Sequence, residues 1–392
     1  MPETRPRRRK STRAATPARR ARRKLRIGIS CYAHFGGSGV VASELGRELA
    51  RRGHEVHLIA SRLPFRLRSF EPNIYFHEAV PAHYPVFEDA PSNLALATKM
   101  VEVAENYSLD VLHVHYAMPF ATSAYLAKQV MMPRQIGVVT TLHGTDITVV
   151  GAEPAFFRVT QFSIQSSDRI TAVSRFLKER AEATFGITRP IEVIYNFVDP
   201  KVFAPRKDHR ILGGPGTKVL MHASNFRSVK NIPVVIQVFS EVRKRMQAKL
   251  VMVGDGPEKA GAEQLARELG VHRDVLFLGN QDLMEEMLPL ADVFLLPSSS
   301  ESFGLVALEA MCAEVPVVCS NAGGLPEVVE HGFTGFLHDP QHVAGQTASV
   351  LKLLQNDSLR RTMGRRGRRV AMERFGADEQ IERYVKVYES LR

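Results

Sequence analysis

Tryptophan is absent from the 392 residues and cysteine is scarce. The three cysteines, Cys31, Cys312 and Cys319, are an odd number without metal-ligand spacing. They argue against a disulfide framework and fit a reducing, cytoplasmic compartment. No apolar run approaches the ~20 residues of a membrane helix. No signal-peptide apolar core follows the basic N-terminus. No Asp-x-Asp pair offers a metal-nucleotide site, and no G-x-G-x-x-G with a following strand-end acid offers a dinucleotide site, which argues against a nicotinamide cofactor.

Charge is abundant but unevenly placed. The net +11 is misleading, because residues 1–24 hold eleven Lys or Arg against one acid, Glu3, and the other 368 residues carry only +1. The 1–24 tail is Arg, Pro, Ser, Thr and Ala without apolar periodicity, and reads as a disordered, dispensable extension. It permits non-specific contact with nucleic acid or anionic lipid. Without interleaved aromatics it does not support dedicated nucleic-acid binding. A second cluster, Arg360, Arg361, Arg365, Arg366, Arg368 and Arg369, reads as a solvated helix face.

What is present is alternation. Strand-like runs at Leu25–Cys31, Glu55–Ser61, Ile74–Glu78, Val111–Tyr116, Gly137–Leu142, Arg169–Val173 and Ile191–Tyr195 alternate with helical patterns. The pattern restarts at Thr217–Ala223 and continues at Lys249–Val253, Val275–Leu278, Val293–Leu296 and Pro316–Cys319. Strand–helix alternation of this kind predicts an α/β fold with two parallel sheets covered by helices. The Pro- and Gly-rich stretch from Asp199 to Gly216 reads as the linker. The expected division is a 1–24 tail, a 25–205 Rossmann-like domain, a 206–376 Rossmann-like domain and a 377–392 terminal helix. Self-association is left open.

Ligands of such sheets lie beyond the C-terminal strand ends, and four strand ends carry informative residues. His34 to Gly39 follows the first strand, where Gly36 and Gly37 allow close backbone approach to a phosphate or sugar, with a helix expected from near Val40. His143-Gly144-Thr145-Asp146 follows another. Its histidine can donate to a sugar hydroxyl or phosphate, or simply bond its own Asp146. Asn225 to Asn231 carries Arg227 and Lys230, two cations suited to a diphosphate and to the charge that grows on it. Ser298 to Glu309 joins a buried strand to a helix through a Ser- and Gly-containing turn. On a continuous helix Glu301 and Glu309 would stand about 80° apart, which suits separate grips on one extended ligand, a sugar and a ribose. Asn196 closes the first half near the linker. His113 and His115 share one strand face and read as structural rather than as metal ligands. Gly254-Asp255-Gly256-Pro257 reads as a structural turn.

Glu301-x7-Glu309, with Phe303-Gly304, the glycine turn, His143, Asn196 and the Arg227/Lys230 pair in this order, resembles the retaining nucleotide-sugar glycosyltransferases of the GT4 type. The resemblance covers residues 25–392. It implies the GT-B fold, two Rossmann-like domains facing each other across a cleft, with the last helix packed back on the first domain. Cys31-Tyr32, Gly36 to Val41, Leu63 to Leu67, Pro72 to Glu78, His113 to Ala117 and Thr140 to Asp146 are similar to the branch of that family that serves the first step of bacillithiol biosynthesis. That likeness implies UDP-N-acetylglucosamine as donor, L-malate as acceptor, and no cofactor or obligatory metal. By resemblance, Gly36, Gly37, Arg227 and Lys230 hold the diphosphate. Glu309 holds the ribose. Glu301, His143 and the backbone at Phe303, Gly304 and Leu305 hold the sugar, with Asn196 in the donor cleft. Ser38, Tyr116 and Thr141 face the acceptor. The family's usual acceptor arginine is replaced by Gln161, and Arg158, three residues away on the same helix face, stands as its substitute. A sister enzyme acting on inositol phosphate or a lipid- or glycan-linked sugar would share every donor residue.

Overall fold

The computed structural model describes residues 23–33, 36–64, 67, 70–82, 90–205 and 216–391. His34, Phe35, Phe65, Arg66, nearly all of the basic tail and the linker residues 206–215 lie outside the described residues. So does the expected domain boundary at 205/206.

The first sheet contains β1 (Arg26–Ser30), β2 (Glu55–Ala60), β3 (Ile74–Glu78), β4 (Val111–His115), β5 (Gly137–Leu142), β6 (Arg169–Ala172) and β7 (Ile191–Val193). The second contains β8 (Lys218–Ala223), β9 (Ala248–Val253), β10 (Val275–Phe277), β11 (Val293–Leu296), β12 (Val317–Ser320) and β13 (Gly335–His338). Their orders are β3-β2-β1-β4-β5-β6-β7 and β10-β9-β8-β11-β12-β13, with parallel pairing throughout, for example Ile27 beside Val111 and Phe294 beside Val317. Helices cover both faces, so central strands such as β11 are wholly buried and read as unbroken apolar runs. The two-domain α/β expectation is met. The strand readings fall within one or two residues of those observed, and β13 is missed. It is short, opens on Gly335 and lies at the sheet edge, so neither alternation nor a long apolar run announces it.

Each sheet reverses its strand order once, between β1 and β4 and between β8 and β11. Such switch points open a crevice beyond the strand ends. The residues after β1, β4, β8 and β11 are the Gly36 turn, Tyr116, Arg227 and Glu301. Topology therefore gathers segments far apart in sequence onto two facing crevices.

The chain crosses between the sheets twice, at adjacent points, where Val198 N–H donates to Phe375 O at 3.1 Å. The last helix, Ala377–Glu389, then packs on the first sheet. Ile381, Tyr384, Val385 and Tyr388 join a core with Ile27, Leu45 and Val111. The C-terminal arginines are not uniformly solvated. Arg368 donates to Pro200 O and Phe203 O at 2.9 Å each and also to Cys312 O, clamping the linker. Arg360 pairs with Asp292 at 3.1 Å. Carbonyls left unpaired where the chain crosses need donors, and a guanidinium supplies several at once. Arg23 and Lys24, the described end of the tail, lie near Asp110 and Glu55 at 3.8 and 3.3 Å. No described helix is long and apolar enough to cross a membrane.

Candidate active site

Two helix N-termini border the cleft. The first helix is Gly37–Arg51, three residues earlier than expected, so Gly37, Ser38 and Gly39 form its first turn. It has no side-chain cap and no acid in that turn, and a β-carbon at Gly36 or Gly37 would meet nothing within 4 Å. Its leading N–H groups and positive dipole end suit an anion. Across the cleft, helix Leu305–Cys312 starts at Gly304, also without a side-chain cap. Val40, Val41 and Glu44 of the first helix line one pocket together with Leu305 and Glu309.

Glu301 lies before that helix, in the turn, so the 80° helical relation to Glu309 does not apply. The turn itself separates the two carboxylates. Glu309 is 7% exposed on the helix. Glu301 accepts a 2.6 Å hydrogen bond from Lys230 Nζ, both side chains being 17% exposed. The Lys230 loop is joined to the Glu301 loop by Ser299 N–H to Val229 O at 2.8 Å and Asn231 Nδ2 to Pro297 O at 2.7 Å. Arg227, just before the Ser228–Lys230 turn, is exposed. Gly254 and Gly256 press on Ser224 and Asn225 beneath this loop, so that turn is structural, as read. Phe303 is 2% exposed and packs on Tyr195 and Phe375, leaving only its backbone for a ligand.

On the other wall, the His143 ring bonds through Nε2 to His115 Nδ1 at 2.8 Å and stacks on Tyr116. Asp146 does not take that ring. It accepts from the backbone N–H groups of Ala117 at 3.0 Å, His143 at 3.2 Å and Gly144 at 2.7 Å, tying the ends of β4 and β5 together. Burial pushes its carboxyl up, opposed by those amides. Burial holds the His143 imidazole down to about 3, so the ring is neutral near pH 7. Tyr116, at φ 102°, is a strained non-glycine residue. Its hydroxyl meets Thr145 Oγ1, and burial beside Asp146 raises its phenol.

Other expected residues are placed differently. Thr141 is fully buried, its hydroxyl bonded to His113 Nε2 at 2.7 Å and Thr171 Oγ1 at 2.6 Å, so it underlies the site rather than facing it. His113 also bonds Tyr388 OH at 2.8 Å. Both its ring nitrogens are engaged, which accounts for a structural histidine. Gln161 donates to Phe185 O at 2.7 Å, so this helix face serves the neighbouring helix. Arg158 is exposed. Among the described residues no hydrogen bond or ion pair joins it to the cleft. Asn196 is 6% exposed and its Oδ1 has no partner among the described residues, as suits a group reserved for a ligand.

The walls also meet through residues that sequence reasoning passed over. Glu327 accepts from Arg175 N–H at 3.0 Å, Phe176 N–H at 2.9 Å and Tyr195 OH at 3.0 Å, a carboxylate from one domain capping a helix of the other. Ser174 Oγ donates to Ser302 O at 2.6 Å. At Gly323 and Gly324 a β-carbon would lie 1.9 Å from Glu301 O and 2.4 Å from Ser302 O. That glycine pair follows β12, so the strand-end rule that found the other loops also reaches this one.

Residues 35–202 match Glycosyltransferase Family 4, and residues 206–370 match Glycosyl transferases group 1. The chain is 46% identical over 371 residues to N-acetyl-alpha-D-glucosaminyl L-malate synthase of Bacillus anthracis, covering 93% of this chain and 97% of that protein. The chain belongs to the family 4 glycosyltransferases. Another member, D-inositol 3-phosphate glycosyltransferase of Corynebacterium jeikeium, is 28% identical across 91% of this chain and 92% of its own length. Anabaena Alr3699/HepE, solved with UDP-glucose, superposes with TM-score 0.78 at 20% identity, covering 93% of this chain and all of that one. At that identity the likeness concerns the fold, the two-domain GT-B arrangement.

Proposed function

We propose that this glycosyltransferase moves N-acetylglucosamine from UDP-N-acetylglucosamine to the hydroxyl of L-malate with retention of the α configuration, the first step of bacillithiol biosynthesis. The observation that carries this reading is the 46% identity over 97% of the Bacillus anthracis L-malate synthase. Residues 25–205 form the acceptor domain and 206–376 the nucleotide-sugar domain. Three buried cysteines without disulfides suit a cytoplasmic enzyme.

In this reading the diphosphate lies between the helix start at Gly36 and Gly37 and the Arg227/Lys230 loop. The ribose meets Glu309. The sugar meets Glu301, His143 and the backbone at Phe303–Leu305. The bond from sugar C1 to the β-phosphate oxygen breaks as the malate hydroxyl oxygen bonds to C1 on the same face. The hydroxyl proton passes to the departing phosphate oxygen. Arg227, Lys230 and the helix N-terminus stabilise the negative charge gathering on UDP. Neutral His143 donates a hydrogen bond without placing a second cation beside the oxocarbenium-like sugar. Positioning and charge stabilisation supply the rate.

Gln161, occupied with Phe185 O, favours a second reading in which the acceptor is not malate. One experiment separates the two: UDP release from UDP-N-acetylglucosamine with L-malate, D-malate, inositol phosphate and sugar acceptors, with the product anomer read by proton coupling. Release with L-malate and an α product is expected. Release with another acceptor alone would transfer the assignment to the sister activity, and a β product would end the retaining mechanism.

A further inference from the structure

We infer that His115 is a positioning residue that fixes the proton on His143: its Nδ1–H donates to His143 Nε2, so that His143 presents Nδ1–H to the donor sugar. This deepens the donor-site reading and rests on His143 lying at the sugar.

A neutral imidazole carries one N–H, and the 2.8 Å contact between His115 Nδ1 and His143 Nε2 needs one donor. The far nitrogen of His115, Nε2, is buried and meets no hydrogen-bonding group among the described residues. Were His115 protonated there, a buried N–H would be orphaned, which is rarer and costlier than a buried bare acceptor. The proton therefore belongs on His115 Nδ1. His143 Nε2 must then accept, and the single proton of His143 falls on Nδ1, the nitrogen turned away from His115. Among the described residues no protein group hydrogen-bonds that nitrogen. A free neutral histidine side chain favours the Nε2–H tautomer, so the site imposes the less common form.

The surroundings hold His115 to this task. It is fully buried, with its ring centroid 4.3 Å from that of His113 on one side and 5.0 Å from that of His143 on the other. His113 is pinned by Tyr388 OH at 2.8 Å and Thr141 Oγ1 at 2.7 Å. Tyr388 lies on the terminal helix. Packing and hydrogen bonds thus run from that helix through His113 and His115 to the ring that faces the sugar. Burial also holds His115 and His143 well below their ordinary range, which removes the charged pair as an alternative.

The test pairs two substitutions of opposite logic. His115→Asn places an amide N–H where Nδ1–H stood, whereas His115→Leu nearly conserves volume and deletes the donor. If His115 only filled space, Leu would be the milder change. The expected result is the reverse. His115→Leu lowers kcat on the order of tenfold to a hundredfold with UDP affinity nearly unchanged, and His115→Asn stays within about threefold of wild type. The independent readout is 15N NMR of histidine-labelled full-length protein, with His143 assigned by His143→Gln. Wild type and His115→Asn should show a protonated Nδ1 and bare Nε2, and His115→Leu should move toward protonated Nε2. A protonated Nε2 on His143 in wild type, or a tautomer indifferent to His115→Leu, would overturn the inference. The expected tautomers in a protein that transfers sugar to no acceptor would uphold it while removing the functional reading.

Discussion

Lys230 Nζ lies 2.6 Å from Glu301 Oε2. The cation assigned to the diphosphate and the carboxylate assigned to the sugar thus hold each other. The pair orients both side chains, and each is the other's main competitor for ligand. Glu301→Ala should leave Lys230 free to bind phosphate, so UDP affinity holds or rises while turnover drops by about 10²–10³-fold. Lys230→Ala should weaken UDP by roughly 1.5–3 kcal/mol. Calorimetry with UDP and a double-mutant cycle should show coupling of at least about 0.5 kcal/mol. Strict additivity would mean the pair is incidental.

Gly144 is one of the places where the two walls touch. It adopts φ 142°, and a β-carbon there would lie 1.8 Å from Ser302 Oγ. Gly144→Ala should cost about 2 kcal/mol or more through the clash and the backbone conformation together, and it should lower kcat by prising the walls apart. Ser302→Gly in the same chain should restore part of the loss, because it relieves the clash but not the backbone strain. Wild-type kinetics for Gly144→Ala would show that this contact does not matter to closure.

Burial keeps His113 and His143 at about 3, His222 at about 4 and His115 well below its ordinary range. In the unfolded chain each titrates near about 6.5. Folding therefore excludes protons, and the stability these groups contribute is complete above about pH 6.5 and lost as pH falls toward 3–4. Each can remove up to about 1.4 kcal/mol per pH unit in that window. The unfolding temperature should fall steadily from pH 7 to pH 5, with proton uptake on unfolding measured in buffers of different ionisation enthalpy. Turnover should show no His143 inflection between pH 6 and 8. An inflection there that His143→Asn abolishes would mean the ring titrates in the working enzyme.

A malate dianion requires a cation, and Ser38, Tyr116 and Thr141 supply none. If exposed Arg158 fills that need when substrates bind, Arg158→Ala should raise the KM for malate about tenfold or more and leave UDP affinity unchanged, as when uniform acceptor binding is lost. Gln161→Ala should instead destabilise the fold slightly by freeing Phe185 O. Normal malate kinetics in Arg158→Ala would send the carboxylate partner elsewhere, with Arg62 and Arg66 next to be replaced.

The sequence by itself determined the strand–helix alternation, the two-domain count and the identity of the loops after β1, β5, β8 and β11. These depend on local periodicity and on the rule that strand ends in a parallel sheet carry the ligand groups. β13 escaped because a short edge strand opening on glycine has no such local signature. Tertiary structure decided which of the expected residues can touch anything. Lys230 and Glu301 are 71 positions apart, and Ser174 and Ser302 are 128 apart. Their meeting depends on how the two sheets are set against each other, which no local pattern encodes. The same packing turned Thr141 into a buried support and Arg368 into a linker clamp, because unpaired polar groups inside a closed interface must find partners. It also bonded the His143 ring to His115, leaving Asp146 to the backbone of His143. The hydrogen-bonding capacity of each side chain is written in the sequence, but only the fold assigns its partner.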